Sequence, residues 1–290
     1  MTVRVVTDSC ADITTREAKE LDISVVPVYV RFGEGVYRDG VDISSDEFYR
    51  RLTTDPVHPN TSAPSPGDFA REYQRLSRET DEIVSVHVTS KESATHGAAL
   101  AGKEIAQKGR CRIEVVDSRG VTMWQGLVAL AAARAARAGY SLNQVVSVVQ
   151  ETVQQMRAMA FLDTMRYISK GGRLGKAFSA VDSLLHVKIM ITLREGKIRP
   201  LGLLRSRSKG LERLFEFVRS APQVEDLVVM YSTLSDDVRE LVDRTGSLFP
   251  GVVPRLRQLG PGLGVHTGPG AVVAVLQEAG ESPETRSAPA

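Results

Sequence analysis

Hydroxyl side chains beside a helix start are the first residues able to do chemistry. In the stretch VSVHVTSKESATHGAALA, Val84 to Ala101, a β-rich run from Ile83 to Val88 gives way to Thr89-Ser90-Lys91-Glu92-Ser93. An Ala-rich helix then begins near Ala94. Strand, hydroxyl-rich loop and helix in that order leave the first backbone N–H groups of the helix without intrahelical partners. Partial positive charge gathers there, so the position favours an anion. Ser93 suits the N-cap, and its hydroxyl is able to hold a carboxylate or a phosphate. From this stretch alone, simple capping is the plainer reading.

Other candidates are weaker one by one. Thr61-Ser62 with Pro64-Ser65 sits in the run TDPVHPNTSAPSPG, Thr54 to Gly67, which is too proline-rich for a regular element. Turn chemistry explains those residues equally well. His266-Thr267-Gly268-Pro269-Gly270 puts a histidine into a glycine-rich turn that permits close backbone approach. Gly171-Gly172-Arg173 is either a link between helices or an arginine facing an anion. Arg205 and Arg207, near a helix start at Ser208, read as solvated. Asp8, Asp12, Asp39 and Asp42 match no metal-binding loop. There is no dinucleotide fingerprint, GxxxxGK[ST] loop, HExxH or GxSxG elbow.

The 290 residues of the chain suffice for a large core and two domains. A formal net charge of +2 argues against a nucleic-acid binder. Cys10 and Cys111 form no metal or disulfide pattern. The start, MTVRVVTDS, enters a strand directly without a signal-like apolar segment, and no stretch is long and apolar enough to span a bilayer. The expectation is a cytoplasmic protein without a cofactor.

The elements that must position these residues follow from periodicity. Short strands at Val3–Val6, Ser24–Phe32, Ile83–Val88 and Arg112–Val116 alternate with helices, one of them opened by a Thr14/Glu17 capping box. This predicts βαβ units on a parallel sheet, with ligands beyond the carboxyl ends of its strands. Ser141 caps a helix running to about Met159. The pattern changes after Phe161: Ser169 to Arg173 is followed by an apolar segment to Leu185, then by runs at His186–Leu193 and Lys197–Leu204, which flank the hairpin signal Arg194-Glu195-Gly196. A helix from Ser208, a strand at Leu227–Tyr231, a helix from Asp236, and strands at Val253–Gln258 and Ala271–Leu276 around the turn Gly260 to Gly270 complete a mixed sheet. The fold class is therefore α/β in two domains. Residues 1–160 form a parallel-sheet α/β/α domain, residues 161–277 a smaller mixed α/β domain, and residues 278–290 a disordered tail.

In this order the motifs resemble the DegV family, fatty-acid-binding proteins that serve bacterial fatty acid kinase. The resemblance runs from Val3 to about Leu276. It rests on Val6-Thr7-Asp8-Ser9 with Asp12, Val26-Pro27, Tyr37-Arg38-Asp39-Gly40, Thr61-Ser62-Ala63-Pro64-Ser65, Ser90 to Thr95, Val116-Asp117-Ser118, Gly171-Gly172-Arg173 and His266 to Gly270. It implies a fatty acid tunnel between the two domains. The carboxylate would be held by Thr61 and Ser93, with His266 beside them and Ser62, Ala94 and Thr95 adjoining. Arg173 and Arg205 would lie near the mouth, toward the head group or the partner. The chain would not catalyse: it would present a long-chain fatty acid to a separate kinase that makes the acyl phosphate, without nucleic acid, with no stable membrane insertion and with transient membrane contact allowed. Two departures stand out: the family's usual Ser-Gly-Thr-Tyr is Ser93-Ala94-Thr95-His96, and Met190 replaces a proline common after the ligand-side strand.

Methylene burial, roughly 0.8 kcal/mol each, drives uptake of an acyl chain but does not orient it. Orientation needs hydroxyl donors on the carboxylate, and a protonated His266 would add a positive partner. Two rivals remain in play. One is a carrier of another amphipathic carboxylic acid. The other is a hydrolase with Ser93 as nucleophile and His266 as base, which lacks an evident orienting acid.

Overall fold

The computed structural model describes residues 2–106, 110–173 and 187–280. The apolar segment expected up to Leu185, and the tail beyond residue 280, lie outside the described residues.

The first strand, β1 (Arg4–Asp8), runs into a single 3-10 turn over Ser9–Ala11. The capping box forms as the sequence indicates. Thr14 Oγ1 accepts from Glu17 N at 3.1 Å, the Glu17 carboxylate accepts from Thr14 N at 2.8 Å, and α1 (Thr15–Glu20) begins there. The strand expected over Ser24–Phe32 is instead two, β2 (Ile23–Val26) and β3 (Tyr29–Phe32), in different sheets. Pro27 lies at the break, where it withholds the N–H a continuous strand would use. Next come β4 (Gly35–Arg38), α2 (Ser45–Thr54) and β5 (Asn60–Ser62). Strand β5 corrects the reading of that segment as wholly irregular. Its three residues pair with β3, placing Thr61 opposite Val30.

The chain continues through α3 (Pro66–Leu76), β6 (Glu82–His87), α4 (Thr95–Ala106), β7 (Arg112–Asp117), α5 (Met123–Arg137) and α6 (Leu142–Gln155). Strands β2-β1-β6-β7 form a four-stranded parallel sheet in that order. From β1 the chain crosses to β2 on one side, and from β6 it crosses to β7 on the other. The order therefore reverses between β1 and β6, and the crevice beyond their carboxyl ends is where such sheets bind ligands.

Helix α6 stops at Gln155, not near Met159, and Met156–Leu162 becomes β8. Met, Ala and Leu favour helix, but pairing on both sides, with β9 and β13, overrides that preference. This strand spans the domain boundary expected at residue 160. Following it are α7 (Arg166–Lys170), β9 (Lys188–Arg194), β10 (Lys197–Leu204), α8 (Arg207–Arg219), β11 (Val224–Tyr231), α9 (Asp236–Gly246), β12 (Arg255–Gln258), α10 (Pro261–Thr267) and β13 (Val272–Glu278). They build a mixed six-stranded sheet in the order β10-β9-β8-β13-β11-β12. The β9–β10 turn has Glu195 at φ 52° and Gly196 at φ 76°, the pattern of a type I′ hairpin. Glu278, expected to begin the tail, is the last residue of β13 and accepts from Arg157 Nη1 at 2.5 Å.

Five layers result. Helices α3 and α4 cover one face of the parallel sheet, over a core of Phe69, Tyr73, Leu76, Ile83 and Ile113. Helices α5 and α6 fill the space between the two sheets, and α8 and α9 close the far face of the mixed sheet. Helix α5 meets β1 and β6 on one side and β8 and β13 on the other, so it is buried nearly all round. Core residues from Val5 to Val275 join around it without a break between the sheets.

Candidate functional site

The residues singled out above come together at the switch point between β1 and β6. A cavity of about 220 Å³ there is lined by Thr61, Ser62, Ser93, Ala94, Thr95, Arg173 and His266. Arg205 is exposed at the end of β10 and does not line it.

Four structural segments supply the walls. The first is the loop after β6. Ser90 N donates to the Asp117 carboxylate at 3.1 Å, Ser93 N donates to Thr89 O at 3.2 Å, and the loop then turns into α4. Ser93 is not the N-cap: α4 begins at Thr95, so Ala94 holds that position. The Ser93 hydroxyl accepts from Thr95 N at 3.2 Å and lies 2.9 Å from Thr95 Oγ1, which leaves it at the cavity wall. Ala94 has no positive φ, so its methyl is carried without backbone strain.

The second wall is β5, which presents Thr61 and Ser62. The third is α10, which was expected to be an irregular glycine-rich turn. Pro261 at its first position fixes φ for a helix. Two carboxylates from the other end of the chain hold its start: Asp12 Oδ1 accepts from Gly260 N at 3.1 Å, and Asp39 Oδ2 accepts from Gly262 N at 3.2 Å. Helix formation carries His266 to the cavity, where its Nε2 lies 3.1 Å from Thr61 Oγ1. The fourth wall follows α7. A Cβ on Gly171 would come within 2.2 Å of His266 Nδ1, so only glycine fits against that ring. Gly172 takes φ 70°, and Arg173 then donates through Nη1 to Gly171 O at 2.5 Å and through Nε to Glu92 O at 3.4 Å.

A second cavity, about 50 Å³, adjoins the first and shares Val121, Ile198, Leu263 and His266 with it. Its wall is apolar: Ala158 and Ala160 of β8, Ile191 and Leu193 of β9, Ile168 and Val273. The threonines among its lining are already engaged. Thr122 Oγ1 donates to Asp12 at 2.6 Å, Thr192 Oγ1 to Ala158 O at 2.7 Å and Thr267 Oγ1 to Leu263 O at 3.3 Å. Met190 packs on the opposite face of the sheet with Phe161 and Leu214.

The electrostatics correct one expectation. His266 is not a positive partner: burial, then the charges of Arg173 and His58, lower its pKa to about 3 and keep the imidazole neutral. Its Nδ1 is buried without a hydrogen-bond partner. Burial, followed by the charges of Asp8, Asp39 and Asp12, raises Cys10 well above the ordinary thiol range. Desolvation also raises Asp39, to about 6, and Asp12 well above the usual carboxylate range. Arg207 is not solvated as expected: Nε donates to Asp237 at 2.6 Å and Nη1 to Gly270 O at 2.7 Å, which fixes the exit from α10.

Sequence reading missed two groups. Glu92 lines the first cavity and accepts from Ile198 N at 3.0 Å. The other is a fully buried chain, Tyr73 OH to Ser85 Oγ at 2.8 Å, Ser85 Oγ to His87 Nε2 at 2.6 Å and His87 Nδ1 to Asp8 Oδ2 at 2.9 Å. It has the arrangement of a Ser-His-Asp triad, but the three triad side chains are 0% exposed, so it braces the loops after β1 and β6. Strand alternation around His87 was its only sequence signal. Among the described residues no cluster of ligands suits a metal ion, and no helix is long and apolar enough to cross a membrane.

Comparison with known proteins agrees with this architecture. A family model described as uncharacterised protein, DegV family, matches residues 2–278. A DegV domain-containing protein of Streptomyces coelicolor is 33% identical over 279 residues, 94% of this chain and 98% of the relative. The crystal structure of DegV, a fatty acid binding protein from Bacillus subtilis, superposes with a TM-score of 0.88 at 26% identity, covering 96% of this chain and all of the other. A DegV family protein from Thermus thermophilus, described for its fatty acid binding, gives 0.86 at 27% identity over the same shares. The chain belongs to the DegV family.

Proposed function

We propose that the protein binds a long-chain fatty acid, its carboxylate at Thr61 and Ser93 and its acyl chain along the apolar cavity, and presents that head to a separate kinase. One observation carries this reading: a cavity lined by the hydroxyls of Thr61 and Ser93 and a neutral imidazole adjoins an apolar one, with four lining residues in common. Fatty acid binding by the Bacillus and Thermus relatives supports it.

Each hydroxyl has a polar neighbour behind it. With the Nε2–H tautomer, His266 donates to Thr61 Oγ1 and frees the threonine O–H for a carboxylate oxygen. Thr95 O–H and N–H serve Ser93 Oγ in the same way. Two O–H donors then fix the head, each worth about 1.5–3 kcal/mol toward a charged acceptor. Arg173 adds the positive charge that His266 does not supply. In this reading the chain itself performs no bond chemistry. Hydrolysis by Ser93 and His266 is disfavoured, because the imidazole engages Thr61 and its Nδ1 meets no orienting acid.

Denaturing extraction of the purified protein with mass spectrometry of the released lipid tests the proposal. A long-chain fatty acid at near one equivalent is expected. A different amphipathic acid would shift the ligand class, and no lipid, together with no binding of added fatty acid, would overturn it.

A further inference from the structure

Glu92 is out of place in a cavity meant for a carboxylate. It is the one carboxylate among the described lining residues, and Arg173 is the one cation. His266 is neutral and Cys10 stays a thiol, so the walls carry one positive and one negative charge. A fatty acid anion entering there brings a second carboxylate. Two carboxylates against a single guanidinium, in a half-buried cavity, leave an uncompensated charge that one proton removes.

We propose that each fatty acid enters the head cavity together with one proton, which is shared between Glu92 and the ligand carboxylate. The inference rests on the fatty acid reading above. The charges acting on Glu92 are Arg173 after α7 and Lys197 and Arg199 on β10, while the titratable groups His266 on α10 and Cys10 after β1 line the same cavity. Lys197 and Arg199 are exposed and screened by solvent, so they do not substitute for the proton. Burial already raises the Glu92 pKa in the protein alone, against the opposing pull of Ile198 N–H and of the charges on Arg173, Lys197 and Arg199. Its carboxyl group keeps the bond from Ile198 N in either protonation state, because a carbonyl oxygen accepts as a carboxylate oxygen does. The hairpin wall therefore stays seated while the charge changes. The proton comes from solvent and no covalent bond other than O–H forms.

Calorimetric titration of delipidated protein with oleate, below its micelle concentration and in buffers of different ionisation enthalpy, counts the protons taken up per ligand. The wild type should take up about one near pH 7. Its affinity should then fall about tenfold for each pH unit above 7. Glu92→Gln keeps the acceptor for Ile198 N, should take up about none, and should bind with affinity independent of pH over that range. Equal thermal midpoints of the two proteins exclude a folding defect. A wild-type count near zero, or a count near one that persists in Glu92→Gln, overturns the proposal. Absence of binding heat in every buffer would overturn the fatty acid reading, and this one with it.

Discussion

Asp39 Oδ2 accepts the backbone N–H of Gly262 at 3.2 Å, from a position 223 residues earlier in the chain. Together with the bond from Gly260 N to Asp12, it secures the start of the short helix that carries His266. The imidazole is thus placed by carboxylates of the opposite end of the sequence, and its reach to Thr61 depends on them.

Removing that hold should loosen the helix. Asp39→Asn is expected to lower stability by about 1–3 kcal/mol in urea denaturation at pH 4, the cost of disturbing the bonds that Ser9 Oγ and Gly262 N make to a buried group. The pH dependence has a definite sign. The folded pKa of about 6 lies above the unfolded value of roughly 3.8, so the native state binds the extra proton. This contribution is therefore complete at low pH and is lost as pH rises through about 6. The stability gap between wild type and Asp39→Asn should widen in favour of the wild type as pH falls from 7 to 4. A gap that widens in the opposite direction would refute the assignment.

Thr61→Val and Ser93→Ala each remove one donor from the ligand head. Affinity for oleate, read by displacement of a fluorescent fatty acid, should fall about tenfold or more in each, with circular dichroism unchanged. His266→Ala should add little on top of Thr61→Val, because the ring acts through that hydroxyl. Full additivity in the double mutant would argue that the imidazole touches the ligand directly.

A methyl at Gly171 collides with the buried edge of His266. Gly171→Ala should push the ring off Thr61 and lose as much affinity as His266→Ala does. The Nδ1 chemical shift is the direct readout, and an unmoved ring with normal affinity would count against the close fit.

Because the His266 pKa stands near 3, its titration contributes nothing to ligand affinity between pH 5 and 8. His266→Asn should lower affinity while leaving the pH slope of binding in that range as it is in the wild type. Loss of the slope in this variant would show that the imidazole is the titrating group.

Ala160, 8% exposed on β8, faces the apolar cavity. Ala160→Leu should shorten the acyl chain accepted, at a stability cost of about 1–3 kcal/mol from overpacking. In a series of saturated fatty acids, affinity should drop for the longest members first. A uniform drop across the series would place the chain elsewhere.

Much of the framework was legible because it is local. The Thr14/Glu17 capping box, the Glu195-Gly196 hairpin turn and the alternation of strands with helices are set by neighbours a few residues apart. The four parallel strands and their carboxyl-end loops follow from that alternation. What the sequence concealed depends on distant partners. Helix α10 needs Asp12 and Asp39, so its own run of Pro and Gly read as a turn. Strand β8 needs β9 and β13, and its Met and Ala residues read as helix. Strand β5 exists only because β3 offers an edge. At the site, hydroxyls and glycines in motifs could be seen, whereas the neutrality of His266 and the seating of Glu92 against Ile198 N arise from residues remote in sequence.

Helix α5 offers apolar side chains to both sheets at once, with twelve of its fifteen residues buried. A fragment ending after α6 would show one of those flanks to water, and a fragment beginning at β8 would show the surface that matched it. Neither piece would remain dispersed on its own. Denaturation of the intact chain should consequently pass in one cooperative step, with both sheets lost together.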